Sequence, residues 1–153
     1  MELWDLLDRN RNKIDKTHER GKPLPEGYYH LLVYIIVQND KGEILLSKRH
    51  PNKVFGNLWE CTGGSALAGE DSLQAALREV KEEVGLDLAS IDGKIIFQET
   101  RENPPAHFDY WLFQANAAIE DLTFQNDEVI DAKWVTREAF EKMVKKKKWS
   151  QRQ

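Results

Sequence analysis

One well-bounded helix, set among segments that read as extended, constrains this chain more than any other feature. In Ser72 to Val84 the residues Leu73, Ala76, Leu77, Val80 and Val84 recur at helical spacing and predict a single apolar stripe. Asp71 or Ser72 can cap its start, and Gly85 stands where a helix C-terminus favours a left-handed residue. Such a stripe must be buried against something, and its surroundings are rich in strand signals. Tyr28 to Gln38 is aromatic and β-branched and reads as a buried strand. The turn residues Asn39-Asp40-Lys41-Gly42 lead to a second strand, Glu43 to Arg49. Leu58 to Thr62 is a short extended piece broken by Gly63-Gly64, and His50 to Asn57 before it is a loop. Lys94 to Thr100 and Phe108 to Ala117 read as strands around Asn103-Pro104-Pro105, and Val129 to Val135 as another. Thr136 can cap a last helix through about Lys147, with Ala139, Phe140, Met143 and Val144 facing inward. At the start, Leu3 to Asp8 and Lys13 to His18 flank Arg9-Asn10-Arg11-Asn12 as a hairpin, followed by a Gly- and Pro-rich loop at 21–27. The expected architecture is α/β, a mixed sheet covered by helices.

Length and charge narrow the function. The 153 residues make one domain, 1–153, with residues 1–27 as a hairpin extension. A net charge of −4 gives no electrostatic reason to expect nucleic-acid binding. An acidic protein that acts on phosphorylated molecules needs local cations or a bound metal to offset repulsion. The single cysteine, Cys61, excludes an internal disulfide and fits a reducing cytoplasm. No apolar run is long enough for a signal peptide or a membrane span, so no membrane partner is expected. Lys145 to Lys148 reads as the solvated end of the last helix.

The chemistry concentrates between Gly64 and Leu86. Glu79, Glu82 and Glu83 are related by i, i+3 and i+4 and converge on one arc of the helix, beside its apolar stripe. Three carboxylates held that close repel one another unless something positive lies between them. A hard divalent cation is the natural partner, magnesium first and manganese as the alternative. The plain reading is a solvated acidic face. Arg78 directly before Glu79, Glu70 in the preceding loop and the Gly63-Gly64 turn move the balance toward a site.

These residues resemble the Nudix box, G-x5-E-x7-R-E-U-x-E-E-x-G-U, where U is a bulky aliphatic. Gly64, Glu70, Arg78, Glu79, Val80, Glu82, Glu83, Gly85 and Leu86 fill all nine defined positions in one window. The resemblance implies a Nudix-like α/β/α sandwich with a loop–helix–loop motif that binds divalent metal. It also implies hydrolysis of a diphosphate linkage in a nucleoside diphosphate joined to another group, or in a related phosphorylated small molecule. Glu82 and Glu83 would be the main metal ligands, with Glu79 a further ligand or the group that activates water. Gly64 would offer its carbonyl to the metal, Arg78 would orient the carboxylates, and Glu70 would steady the loop by pairing with Arg78. A carboxylate takes the water's proton, from either Glu79 or Glu128. For Glu128 the plain reading, a polar turn residue before a strand, weighs equally. Arg49 resembles a position that contacts substrate phosphate, against a plain reading as a strand-end cation. Trp59 reads first as core packing and Cys61 as a buried, inert thiol. A homodimer is common among proteins of this kind. A non-catalytic module that senses a nucleotide is the alternative from another class.

A second resemblance touches the isopentenyl-diphosphate isomerases, which share the fold. It rests on Trp4-Asp5-Leu6-Leu7-Asp8, Thr17-His18, Tyr29-His30 and the run from Asn126 to Trp134. His18 and His30 would stand for two of that enzyme's three metal-binding histidines. The third falls at Ser65 and the catalytic cysteine at Gly63, while Cys61 lies two residues away, several ångströms along an extended chain. The expected Glu-x-Glu is replaced by His107-Phe108-Asp109. The hydrolase carboxylates are all present, so hydrolysis is the expected chemistry.

Overall fold

A computed structural model describes residues 1–145, so the part of the last helix and of the lysine run expected beyond Lys145 lies outside the described residues. The N-terminal segments form the expected hairpin, β1 (Leu3–Leu7) antiparallel to β2 (Lys13–Glu19). The main sheet is built from β3 (His30–Gln38), β4 (Ile44–Arg49), β5 (Trp59–Glu60), β6 (Thr62–Ser65), β7 (Gly93–Glu102), β8 (Pro105–Gln114) and β9 (Val129–Val135). Its spine runs β5-β4-β3-β8-β7, with β6 on β3 and β9 on β4. β3 and β8 run parallel through nine paired residues, from His30↔Ala106 to Gln38↔Gln114, while the other pairings are antiparallel, so the sheet is mixed as expected. No helix of the described residues is long and apolar enough to cross a membrane.

Strand alternation sends side chains to two faces. On one face Val33, Ile35, Val37, Trp111 and Phe113 meet Ala75, Ala76, Val80 and Val84 of α1 (Ser72–Val84). On the other, Ile36, Ile44, Leu46 and Cys61 meet Phe140 and Met143 of α2 (Arg137–Lys145). The expected stripe of α1 is corrected at one position: Leu73 is 40% exposed and Ala75 is fully buried in its place. Adjacent alanines let the helix lie close to the sheet, and close approach selects small residues over the larger Leu73. The β7–β8 hairpin is also tighter than expected. Glu102 pairs with Pro105, which opens β8 where no ladder N–H is needed. Ala115 to Ala117 lie beyond its end.

One feature of the sheet makes the cleft. β3 and β4 touch at a single pair, Gln38↔Ile44, and then diverge. β6 occupies β3 instead, pairing Leu32↔Ser65 through Ile35↔Thr62. The sheet therefore opens at the start of β3 and the end of β4.

Candidate active site

The opening is a cleft of about 390 Å³. Leu32 and Tyr34 of β3, Gly63, Gly64 and Ser65 of β6, and Glu79, Glu82 and Glu83 of α1 line one part of it. Arg49 of β4, Glu60 of β5, Lys53 to Phe55 of the following loop, and Glu128 line the other.

Helix α1 is aimed by its ends. The Asp71 carboxylate accepts the Gln74 backbone N–H, and the Gln74 side chain accepts from the Asp71 N–H, closing a capping box. Gly85 ends the helix in the left-handed region at φ 73°.

Arg78 is the hub. Its Nε and Nη2 donate to the two Glu70 carboxylate oxygens at 2.6 and 3.0 Å. Its Nη1 donates to Glu79 at 2.7 Å and to Glu82 at 3.2 Å, and Nη2 also reaches the Ser65 carbonyl at 3.0 Å. Burial works against the arginine's charge, but the bonds to Glu70 and Glu79 outweigh it and raise its proton affinity further. Burial likewise disfavours the Glu70 anion, and here the Arg78 bond and the Leu67 N–H at 2.8 Å win, lowering its pKa.

The carboxylates differ in burial. The Glu82 side chain is half exposed, that of Glu79 is 13% exposed, and Glu83 belongs to the buried face of α1 rather than beside it. Burial pushes the Glu79 carboxyl above its ordinary pKa, against the opposing pull of a hydrogen bond with Glu83 and of Arg78. A Cβ at Gly64 would lie 2.7 Å from the Glu79 carboxyl, so glycine is what allows the helix carboxylate against this backbone. The oxygen-only donor set of Glu79, Glu82, Glu83 and the Gly64 carbonyl fits a hard divalent ion completed by water. Among the described residues no three His, Cys, Asp or Glu side chains form a ready-made cage, and Arg78 pairs with both Glu79 and Glu82.

On the facing part, Arg49 pairs with Glu60 at 3.1 Å, both nearly buried, and its Nε donates to the Val54 carbonyl. Glu128 pairs with Lys53, and its carbonyl accepts the His50 N–H. Sequence reasoning did not single out Glu60 or Lys53. The signal for Glu60 was alternation, since Trp59 and Cys61 turn to the opposite face. Trp59 packs beside Cys61 with the Lys133 Nζ 4.1 Å from its ring centre, away from the cleft lining.

The isomerase positions are filled by structure. A Cβ at Gly63 would come within 2.3 Å of the Tyr34 ring, so a cysteine there has no room. The His18 Nε2 donates to the Lys22 carbonyl, and the His30 ring stacks on Trp4 at 4.0 Å.

Comparison with known proteins agrees with the fold. A family model described as the NUDIX domain matches residues 28–153. An uncharacterised Nudix hydrolase of Listeria innocua is 43% identical over 148 residues, covering 92% of this chain and 83% of the relative. Nucleoside triphosphatase NudI of an Enterobacter species is 30% identical, over 71% of this chain and 82% of its own. A crystal structure from Deinococcus radiodurans superposes with a TM-score of 0.75 at 18% identity, covering 94% of this chain and 88% of that one, a likeness of fold. A MutT protein from Methanosarcina mazei gives 0.57 at 27% identity, covering 79% and 83%. By its domain match and by these relatives, the chain belongs to the Nudix hydrolase family.

Proposed function

We propose that this protein is a magnesium-dependent pyrophosphohydrolase acting on a nucleoside diphosphate joined to another group, or a closely related phosphorylated metabolite. The observation that carries the reading is that Glu79 and Glu82, both paired with Arg78, line one cleft together with Glu83, and that Arg49 and Lys53 also line it. When bound, magnesium would screen the diphosphate oxygens and acidify water, with manganese able to substitute. Glu82, Glu83, Glu79 and the Gly64 carbonyl would hold it. Arg78 keeps the helix carboxylates in register, and Glu70 fixes Arg78. Arg49 meets substrate phosphate. Glu79 or Glu128 accepts the proton of the attacking water.

The nucleoside part of the reading rests on the rim. Val54 and Phe55 stand 74% and 41% exposed at the cleft, and Phe55 holds a positive φ of 57°, a costly conformation for an aromatic residue. A planar base can cover this apolar area. The test is phosphate release with magnesium from nucleotide substrates, comparing wild type with Glu83→Gln. The variant is expected to stay folded and to lose at least about a hundredfold in turnover. Retained turnover in a folded Glu83→Gln protein overturns the assignment. Glu79→Gln and Glu128→Gln, measured alongside, decide which one accepts the proton.

A further inference from the structure

The N-terminal hairpin precedes the matched domain, which begins at residue 28, yet two of its side chains, Glu2 and Arg20, line the same cleft. They flank the open end of the hairpin, where the Arg20 N–H donates to the Glu2 carbonyl at 2.9 Å. The hairpin is fixed to the domain at several points. Leu7 bridges Tyr29, Trp4 stacks on His30, and the Ala68 N–H donates to the Leu3 carbonyl at 2.8 Å. The Gly69 N–H meets the Asp5 carboxylate at 2.8 Å. The hairpin is therefore anchored both to β3 and to the loop that carries Glu70. It forms a wall on the β3–β6 side, while Arg49 and Lys53 enter from the β4 side.

Among the described residues, the four cations that line the cleft differ in how firmly they are engaged. Arg78 is bound to three carboxylates and a carbonyl, Arg49 to a nearly buried glutamate, and Lys53 to Glu128. Arg20 meets both oxygens of Glu2 at 3.3 Å, with its side chain 63% exposed. Glu2 is itself held by the Trp4 indole N–H at 2.8 Å. A solvated pair like this contributes little stability, whereas breaking a buried pair is costly. Arg20 is thus the cation most readily transferred from its glutamate to an incoming anion, and its planar fork suits a phosphoryl group.

We propose that Arg20 binds the phosphoryl group beyond the linkage that is cut, so that the hairpin selects nucleoside triphosphates over the matching diphosphates. Glu2 holds Arg20 in place when the cleft lacks substrate. This rests on the pyrophosphohydrolase reading for its substrate class but is tested by binding as well as by turnover.

The experiment titrates the full chain, with magnesium, against each of the four common ribonucleoside triphosphates and its diphosphate. Calorimetric Kd and steady-state KM are measured for wild type, Arg20→Ala, Arg20→Lys and Glu2→Gln. Tryptophan fluorescence checks that each variant is folded. Arg20→Ala is expected to weaken triphosphate binding about tenfold more than diphosphate binding, the loss of one charge-assisted contact. Arg20→Lys recovers part of the preference, and Glu2→Gln tightens triphosphate binding by removing the competitor. Equal effects on both members of each pair, or no binding of triphosphate by wild type, overturns the proposal. Arg20-dependent binding without any turnover leaves Arg20 in this role and removes the hydrolase reading instead.

Discussion

At the scale of single residues, neighbouring glycines in β6 have opposite tasks. The atoms nearest to a Cβ at Gly64 are the far end of the Glu79 side chain, whereas one at Gly63 meets the Tyr34 ring at 2.3 Å and the Val33 carbonyl at 2.8 Å. Gly64→Ala is therefore expected to fold with near-normal stability but to displace the Glu79 carboxyl, cutting turnover by about a hundredfold. Gly63→Ala is expected to unfold at lower denaturant, by about 1–3 kcal/mol, from overpacking against backbone and ring. Urea titration and phosphate release on the two proteins separate the effects, and equal stability losses count against this division. Arg78→Lys belongs beside them. A lysine has no planar fork to span Glu70, Glu79 and Glu82, so a stability loss of about 3 kcal/mol is expected, together with loss of turnover. The cluster of Gly64, Glu70, Arg78, Glu79, Glu82 and Glu83 was legible as a group because it lies within one continuous window at helical spacing. Glu60, Lys53, Glu2 and Arg20 were not, since each is an ordinary charged residue until the sheet opens and brings distant segments to one cleft.

At the scale of elements, α1 shows which signals are local. Its cap at Asp71 and its stop at Gly85 depend on residues within one turn, and both are legible in the amino-acid sequence alone. Which of its residues face the sheet depends on how near the helix lies, and that is why Ala75 displaces Leu73. The opening of the β3–β4 hairpin after one pair is likewise non-local, because it is set by β6 competing for the same edge. Two substitutions probe the ends. Asp71→Ala removes the capping box and is expected to cost about 1 kcal/mol. Gly85→Ala is expected to cost more, about 2 kcal/mol, since its φ of 73° is strained for alanine and the Thr123 backbone stands 2.9 Å from the new Cβ. Thermal unfolding ranks them, and a Gly85→Ala protein more stable than Asp71→Ala contradicts this account of the C-terminal stop. Because residues after α1 carry the chain back toward the cleft, with the Gln125 N–H on the Glu83 carbonyl, a shifted helix end is also expected to raise KM.

At the scale of the whole molecule, the hairpin and the domain are joined through a buried histidine, and that makes their union sensitive to acid. The His30 ring lies under Trp4, with its Nδ1 buried and without a hydrogen-bond partner among the described residues. Burial, then the neighbouring charges of His18 and Arg20, push its pKa down from 6.5 to about 4, with Glu2 pulling the other way and His107 adding slightly. The sign follows from proton binding. Between about pH 6.5 and pH 4 the unfolded chain takes up a proton that the folded chain refuses, so stability falls as pH falls through that window. Complete protonation of the unfolded chain across such a gap corresponds to about 3 kcal/mol. Carboxylate pairs elsewhere also weaken in acid, so the measurement is a difference. His30→Phe keeps a ring to stack on Trp4 and has nothing to titrate. Urea unfolding of both proteins from about pH 7 to about pH 4.5 is expected to show wild type losing about 2 kcal/mol more than the variant. Trp4 fluorescence should report release of the hairpin in the same range. Parallel stability curves would mean that His30 accepts its proton in the folded state without penalty, and that the contact between hairpin and β3 does not depend on a neutral ring.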